Sequence, residues 1–253
     1  ICISGVLLAA CTAKNLSDST MQEQTDDSTG KTQEYESEET ESLEKENPPE
    51  ATGALSYLTG LPIEEEQQNK RPLAVMLSNI RASCPQTGIE KASIIYEAPV
   101  EGSITRLMAI IEDYDNIPRI GSVRSCRDYF LFYANEYDAI YSHYGQAVYA
   151  LQYLDQHLID NLNGLTLGNA YYRSTDRVAP HNAYTDFSHL QAGIQSQGYS
   201  QDYKEDYNGH FQFAPEGTET TLDDGVSANV VKLDNFAYNH PWFEYNEGDG
   251  KYY

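Results

Sequence analysis

An abrupt change of composition near residue 50 limits most strongly what this chain can fold into. From Thr12 to Glu50 twelve Asp/Glu face only Lys14, Lys31 and Lys45, and Ser, Thr, Gln and Asn fill most of the rest. Such a stretch cannot bury enough apolar surface to offset the entropy of ordering it. Folding is left to the residues beyond Glu50. Within a chain of 253 residues and net charge −23, that allows one sizeable domain or two small ones. The charge also argues against nucleic acid as a partner, because a polyanion needs a broad basic face.

The residues before the acidic stretch, Ile1 to Cys11, read as the end of an apolar signal region, then small residues, then a cysteine. The basic start of such a signal is missing, so the chain is read as an N-terminally truncated fragment, with 1–10 a signal-peptide remnant. Leu8-Ala9-Ala10-Cys11 resembles a bacterial lipobox, in which the cysteine sulfur carries the lipid. Cys11 is therefore the expected lipidation site. It would hold the protein on the extracytoplasmic face of a bacterial membrane, with 11–54 as a linker spanning roughly 35 Å r.m.s.. No apolar run reaches the ~18–20 residues of a transmembrane helix.

From about Leu55 to Gly225 short apolar runs alternate with amphipathic stretches. Leu73–Leu77, Ile94–Glu97, Ile104–Ile111 and Ala139–His143 read as strands. After Ser122 the recurrence of Cys126, Tyr129, Phe130, Tyr133 and Tyr137 forms one apolar helical stripe, with Ser125 as the expected N-cap and Asp128 as its partner. Further helices are expected over Gln146–Leu154 and about Asp186–Gln197, the latter capped by Thr185 or Asp186 and stopped by Gly198. Strands first and helices interleaved later favour an α/β, mixed α+β, sheet domain with flanking helices over 55–225. Alternation in Ala228–Leu233 and His240–Tyr245, and a turn at Asn246–Gly250, mark 226–253 as the start of a smaller β-rich domain that is cut off.

Eight Arg but only two Lys lie between Lys70 and Arg177. Arg is preferred where a planar fork must grip a carboxylate or phosphate through two parallel hydrogen bonds. Arg124 and Arg127 lie at the expected helix start, where the dipole disfavours cations, so an anion should offset them. That anion is either a bound acidic ligand or an internal partner among Glu97, Glu101, Asp128 and Asp138. His143 ends a strand, and His181 and Asn182 sit in the polar loop Tyr172–Asn182 that enters the last helix. The two histidines suit either acid–base and ligand-clamp roles or plain structural ones.

The signatures of common hydrolases, metalloproteases, phosphate loops and redox dithiols are absent, and no cofactor is expected. His143, His181 and His189 lack metal-ligand spacing, so no metal site is expected either. Cys84 and Cys126 are the thiols left after processing, and an oxidising exterior makes a disulfide between them the expectation, contributing about 3–4 kcal/mol if unstrained. Two buried free thiols are the alternative, which the place of Cys126 on the apolar stripe also permits.

Leu58-Thr59-Gly60-Leu61-Pro62, Arg71–Met76, Pro85-Gln86-Thr87-Gly88, Glu97 with Glu101–Arg106, Gly121–Tyr129 and Ala179–Thr185 together resemble the YerB-like lipoproteins, the domain-of-unknown-function 3048 family. The resemblance runs from about Leu55 to the chain end. It implies a lipid-anchored extracytoplasmic protein with an α/β N-terminal domain and a β-rich C-terminal one, and supplies no activity. Ala is usual in the family where this chain has Cys84 and Cys126, and the joint departure favours the disulfide. The expected function is binding of an anionic envelope component, such as a cell-wall fragment, a sugar acid or an acidic peptide. Arg106, Arg124, Arg127, His143, Arg177, His181 and Asn182 would bind it. The alternatives are an envelope hydrolase or transferase with Glu97 or Glu101 and His143 or His181 as acid and base, and a protein-interaction scaffold.

Overall fold

A computed structural model describes residues 53–215, 218, 224–234, 237 and 240–253. The signal remnant, Cys11 and almost all of the acidic linker lie outside the described residues. In chain order the strands are β1 Leu73–Ser78, β2 Ile94–Pro99, β3 Thr105–Ile111, β4 Ile120–Gly121, β5 Ile140–His143, β6 Asn161–Asn163, β7 Tyr172–Arg173, β8 Ala183–Thr185, β9 Val230–Lys232, β10 Trp242–Asn246 and β11 Lys251–Tyr252. The helices are α1 Glu65–Gln68, α2 Asp128–Asn135, α3 Leu151–Asp155 and α4 Phe187–Gln197.

The main sheet has the order β2-β3-β1-β5-β6. β1, β5 and β6 run parallel, while β3 is antiparallel to both β1 and β2. Every residue of β1 is buried, which explains why Leu73-Ala74-Val75-Met76-Leu77 is apolar without alternation: both faces of the strand are covered. Ala74 and Met76 pack with Phe130, Leu131 and Ala134 of α2 and Leu154 of α3. Leu73, Val75 and Leu77 pack on the other face with Leu190 and Ile194 of α4. β4, β8 and β7 form a small antiparallel sheet, and β9, β10 and β11 form another, all-antiparallel, near the C-terminus. The fold is the mixed α/β sheet domain followed by a smaller β-rich region that the sequence pattern implies.

Three expectations need correction. The first long helix starts at Asp128 with Arg127 at its N-cap, not with Ser125 as a capping side chain. The reason is non-local: residues 122–126 run extended, with the Val123 amide donating to Ala183 O (2.8 Å) and the Arg124 amide to Met76 O (2.9 Å). The stripe itself holds, since Cys126, Phe130 and Tyr137 are buried in one cluster with Tyr129 and Tyr133 packed against it. The expected helix over Gln146–Leu154 is instead a 3₁₀ turn, Val148–Ala150, leading into the short α3.

The third correction is the disulfide. Cys84 and Cys126 are both free, the first exposed and the second buried. Cys126 belongs to the cluster beneath α2, where burial pushes its thiol up to about 12. Cys84 lies in the exposed loop after β1, its sulfur 3.4 Å from Ile80 O. Among the described residues no helix is long and apolar enough to cross a membrane.

Candidate functional site

The carboxyl ends of parallel strands are where ligands collect in open α/β sheets. Here those ends are Ser78, His143 and Asn163, and the extended segment 122–126 crosses two of them. The Arg124 amide bonds β1 through Met76 O, and the Arg124 carbonyl accepts from the Tyr144 amide (3.0 Å) just after β5. The Cys126 amide donates to Gly145 O (2.9 Å), and the Ala147 amide donates to Cys126 O (3.1 Å). Arg124 is thus fixed by its backbone over the crevice between β1 and β5. Gly145 allows this approach. Its φ is +79°, and a Cβ there would stand 3.2 Å from Leu165 Cδ1 and 3.6 Å from Ser125 Oγ.

A recess of about 300 Å³ opens at this point, lined by Arg124, Ser125, Tyr144, Gln146, Leu165 and Arg173 among others. No carboxylate among the described residues lines it, in a chain with 39 Asp/Glu against 16 Lys/Arg. Each guanidinium is pinned by one nitrogen. Arg124 Nη1 donates to Pro180 O at 2.8 Å, and Arg173 Nη1 donates to Asn182 Oδ1 at 2.9 Å. Arg173 also stacks over the Tyr144 ring at 4.3 Å. Arg124 Nε is buried without a hydrogen-bond partner among the described residues. Burial, then the nearby Arg127 and Arg173 charges, lower the pKa of Arg124.

The other expected site residues divide clearly. Arg127 is buried and internally paired: its Nε reaches both Glu101 oxygens at 2.9 Å, and its Nη1 donates to Cys126 O at 2.8 Å. The Arg127 guanidinium holds Glu101 down at about 2, with the Tyr149 hydroxyl assisting from 2.5 Å. Arg106 is buried and donates to Ser125 O. Burial, then Arg127 and Arg124, lower its pKa to about 10, and no carboxylate pairs with it among the described residues. Arg106 and Arg127 thus both hold the backbone on which Arg124 is mounted.

His143 is completely buried, with Nδ1 2.7 Å from Gly145 O and Nε2 3.1 Å from Asn161 Oδ1. Both partner oxygens can only accept, so each bond favours a protonated ring nitrogen, but burial is the larger cause and lowers the ring's pKa. This histidine shapes the turn after β5 and has no ring nitrogen left for a ligand. Asn182 is likewise committed, accepting from Arg173 and donating to Ser174 O at 3.2 Å.

His181 and Arg177 line a neighbouring recess of about 580 Å³ with Cys84 and Asp176. Arg177 donates to the carbonyls of Ala82 (3.3 Å), Cys84 (3.1 Å) and Pro85 (3.2 Å), clamping the loop after β1. Asp176 is gripped by both Nη atoms of Arg119 at 2.9 Å. His181 Nδ1 is buried without a partner among the described residues, and burial, then Arg124 and Arg177, lower its pKa. Glu97 accepts from Asn79 (2.8 Å) and from Thr105 (2.5 Å). Neither histidine has a carboxylate partner among the described residues, so no acid–base pair is assembled. No group of His, Cys, Asp and Glu among the described residues is placed to hold a metal ion.

Sequence reading did not include Arg173, Tyr144, Gln146 and Ser125 in the site. Arg173 carried a signal, since it lies in the polar loop with His181; the other three are brought in by the strand ends and the crossing segment.

Comparison with known proteins gives a consistent result. The family model "Protein of unknown function (DUF3048) N-terminal domain" matches residues 58–200. A Bacillus subtilis (strain 168) protein named "Putative lipoprotein YerB" is 37% identical over 144 residues, 56% of this chain and 43% of that protein. The crystal structure of the YerB protein from Bacillus subtilis matches with a TM-score of 0.62 at 29% identity, covering 78% of this chain and 65% of that one. The chain therefore spans less than half the length of this curated relative.

Proposed function

The chain belongs to the DUF3048 family, and from that premise we propose that it is an extracytoplasmic lipoprotein that binds an anionic cell-envelope ligand at the carboxyl ends of β1 and β5. One observation carries the reading. Arg124 and Arg173 open into a recess that no carboxylate among the described residues lines, although carboxylates outnumber cations more than twofold in the chain. A guanidinium held in a concave site without an anion is a site for one supplied from outside. Attachment through a lipid on Cys11 fits the name of the relative and the sequence before the acidic linker.

The binding residues narrow to Arg124 and Arg173, with Arg177 and His181 at the adjoining recess and Arg106 and Arg127 as supports. Titration calorimetry of the chain with muropeptides, sugar acids and phosphorylated wall polymers tests this. Binding by at least one class, abolished in Arg124→Ala with stability changed by no more than about 0.5 kcal/mol, is the expected result. A large loss of stability in Arg124→Ala would instead make it a structural arginine.

A further inference from the structure

The Arg124 recess is shaped for more than a bare anion, and from it we infer the ligand's chemistry: a short peptide ending in a free α-carboxylate, with small aliphatic side chains. The inference rests on the anion-binding reading above and narrows it. Its first ground is the mixed lining. Beside Arg124 and Arg173 the recess is lined by Leu165 and Pro180, both exposed and apolar. A phosphate or a sugar acid, polar all round, would leave those two groups against polar atoms and lose the burial they offer.

The second ground is a donor and acceptor that neither arginine needs. Gln146 Oε1 is occupied by Asn163 Nδ2 at 2.9 Å, which fixes the amide and leaves its Nε2 as a donor with no hydrogen bond among the described residues. Ser125 Oγ likewise has no partner among them, and Ser125 lines the recess beside Gly145. A peptide unit presents one carbonyl and one N–H, which these two side chains match. The carboxylate goes to the guanidiniums. Their pinned nitrogens orient the forks before binding, so little rotamer entropy is lost when the anion arrives.

The third ground is size. A volume of about 300 Å³ is at the small end of ligand sites and suits one or two small residues, not a polymer segment.

Calorimetric titration of the chain with N-acetyl-Ala-Ala as the free acid, its C-terminal amide, glucuronate and inorganic phosphate separates the claims. The free acid is expected to bind, and the amide to bind at least about tenfold more weakly, as a site built for a charged group rejects its neutral analogue. Gln146→Leu should weaken the free acid several-fold with no change for phosphate. Arg173→Gln should weaken every ligand that binds, and unchanged melting of both variants shows that they fold. If glucuronate or phosphate binds better than the free acid and depends on Arg124, the peptide inference fails while the anion reading stands. If the free acid and amide bind equally, the inference also fails. If none of the four binds and the envelope screen gives no Arg124-dependent hit, both fail together.

Discussion

The two ends of the parallel pair β1 and β5 carry arginines in opposite states. At the amino ends Arg71 is buried and saturated: Nε donates to Asp138 O at 2.6 Å, Nη1 to Asp160 at 2.6 Å and to Ser200 O at 3.0 Å, and Nη2 lies 3.4 Å from Asp138 Oδ1. Lys204 Nζ completes the cluster, 2.7 Å from Asp138 Oδ1. At the carboxyl ends Arg124 and Arg173 have, among the described residues, one carbonyl or amide partner each and no carboxylate. Two charges taken partly out of water, one fully compensated and one not, cannot serve the same purpose. The amino end ties β1, β5 and the residues after α4 together; the carboxyl end is where we propose that an outside anion binds.

The largest effect expected from this contrast is at Arg71. Arg71→Met removes the buried cation of the cluster, leaving Asp138 with Lys204 as its remaining cation and the Asp138 and Ser200 carbonyls without their donor, which costs about 3–5 kcal/mol. Chemical denaturation should register that loss, where Arg124→Ala leaves stability nearly untouched. Equal losses at the two positions would erase the distinction between a structural and a binding end.

A smaller effect separates the two histidines by pH. Burial lowers the pKa of His143 below its ordinary 6.5, so the unfolded chain binds the proton more readily than the folded one. Stability from this group is therefore fully present above pH 6.5 and is lost progressively as pH falls from there through the lower folded-state pKa. His181 has the same sign, with less burial behind it. Denaturation midpoints measured from pH 7.5 to 5.5 should fall on acidification, and His143→Asn should flatten that slope more than His181→Asn. The reverse order would place the sealed imidazole at position 181.

The same contrast explains what the sequence could and could not announce. β1 was legible because a strand covered on both faces must be apolar at every position from Leu73 to Leu77. α4 was legible because its caps are local: Asp186 Oδ1 accepts from the His189 amide at 2.9 Å, and Gly198 takes φ +69°. The start of α2 was not, because the donors of Val123 and Arg124 are claimed by Ala183 and Met76, far away in the chain. The site was half legible for the same reason. Arg124 and His181 stand out as charges in a polar context, but Arg124 and Arg127, three residues apart, look alike until the fold gives Glu101 to one and a recess to the other. The thiols misled because an oxidising exterior says nothing of distance: Cys126 faces the packed side of the sheet and Cys84 the solvent.

The smallest effect is the most direct probe of the field at the open end. Arg124 and Arg177 both disfavour the imidazolium form of His181, after burial, which is the larger cause. Removing one of those charges in Arg124→Ala should therefore raise the His181 pKa toward 6.5, read as a ring-proton titration by NMR. His143, whose pKa is set by burial and by its bonds to Gly145 and Asn161, should not move and serves as the internal reference. A ligand carboxylate entering beside an intact Arg124 should shift His181 in the same upward direction, because an anion offsets the same charge. If His181 responds to neither change, the two recesses do not share a field, and Arg177 and His181 drop out of the binding surface, leaving Arg124 and Arg173 to hold the anion alone.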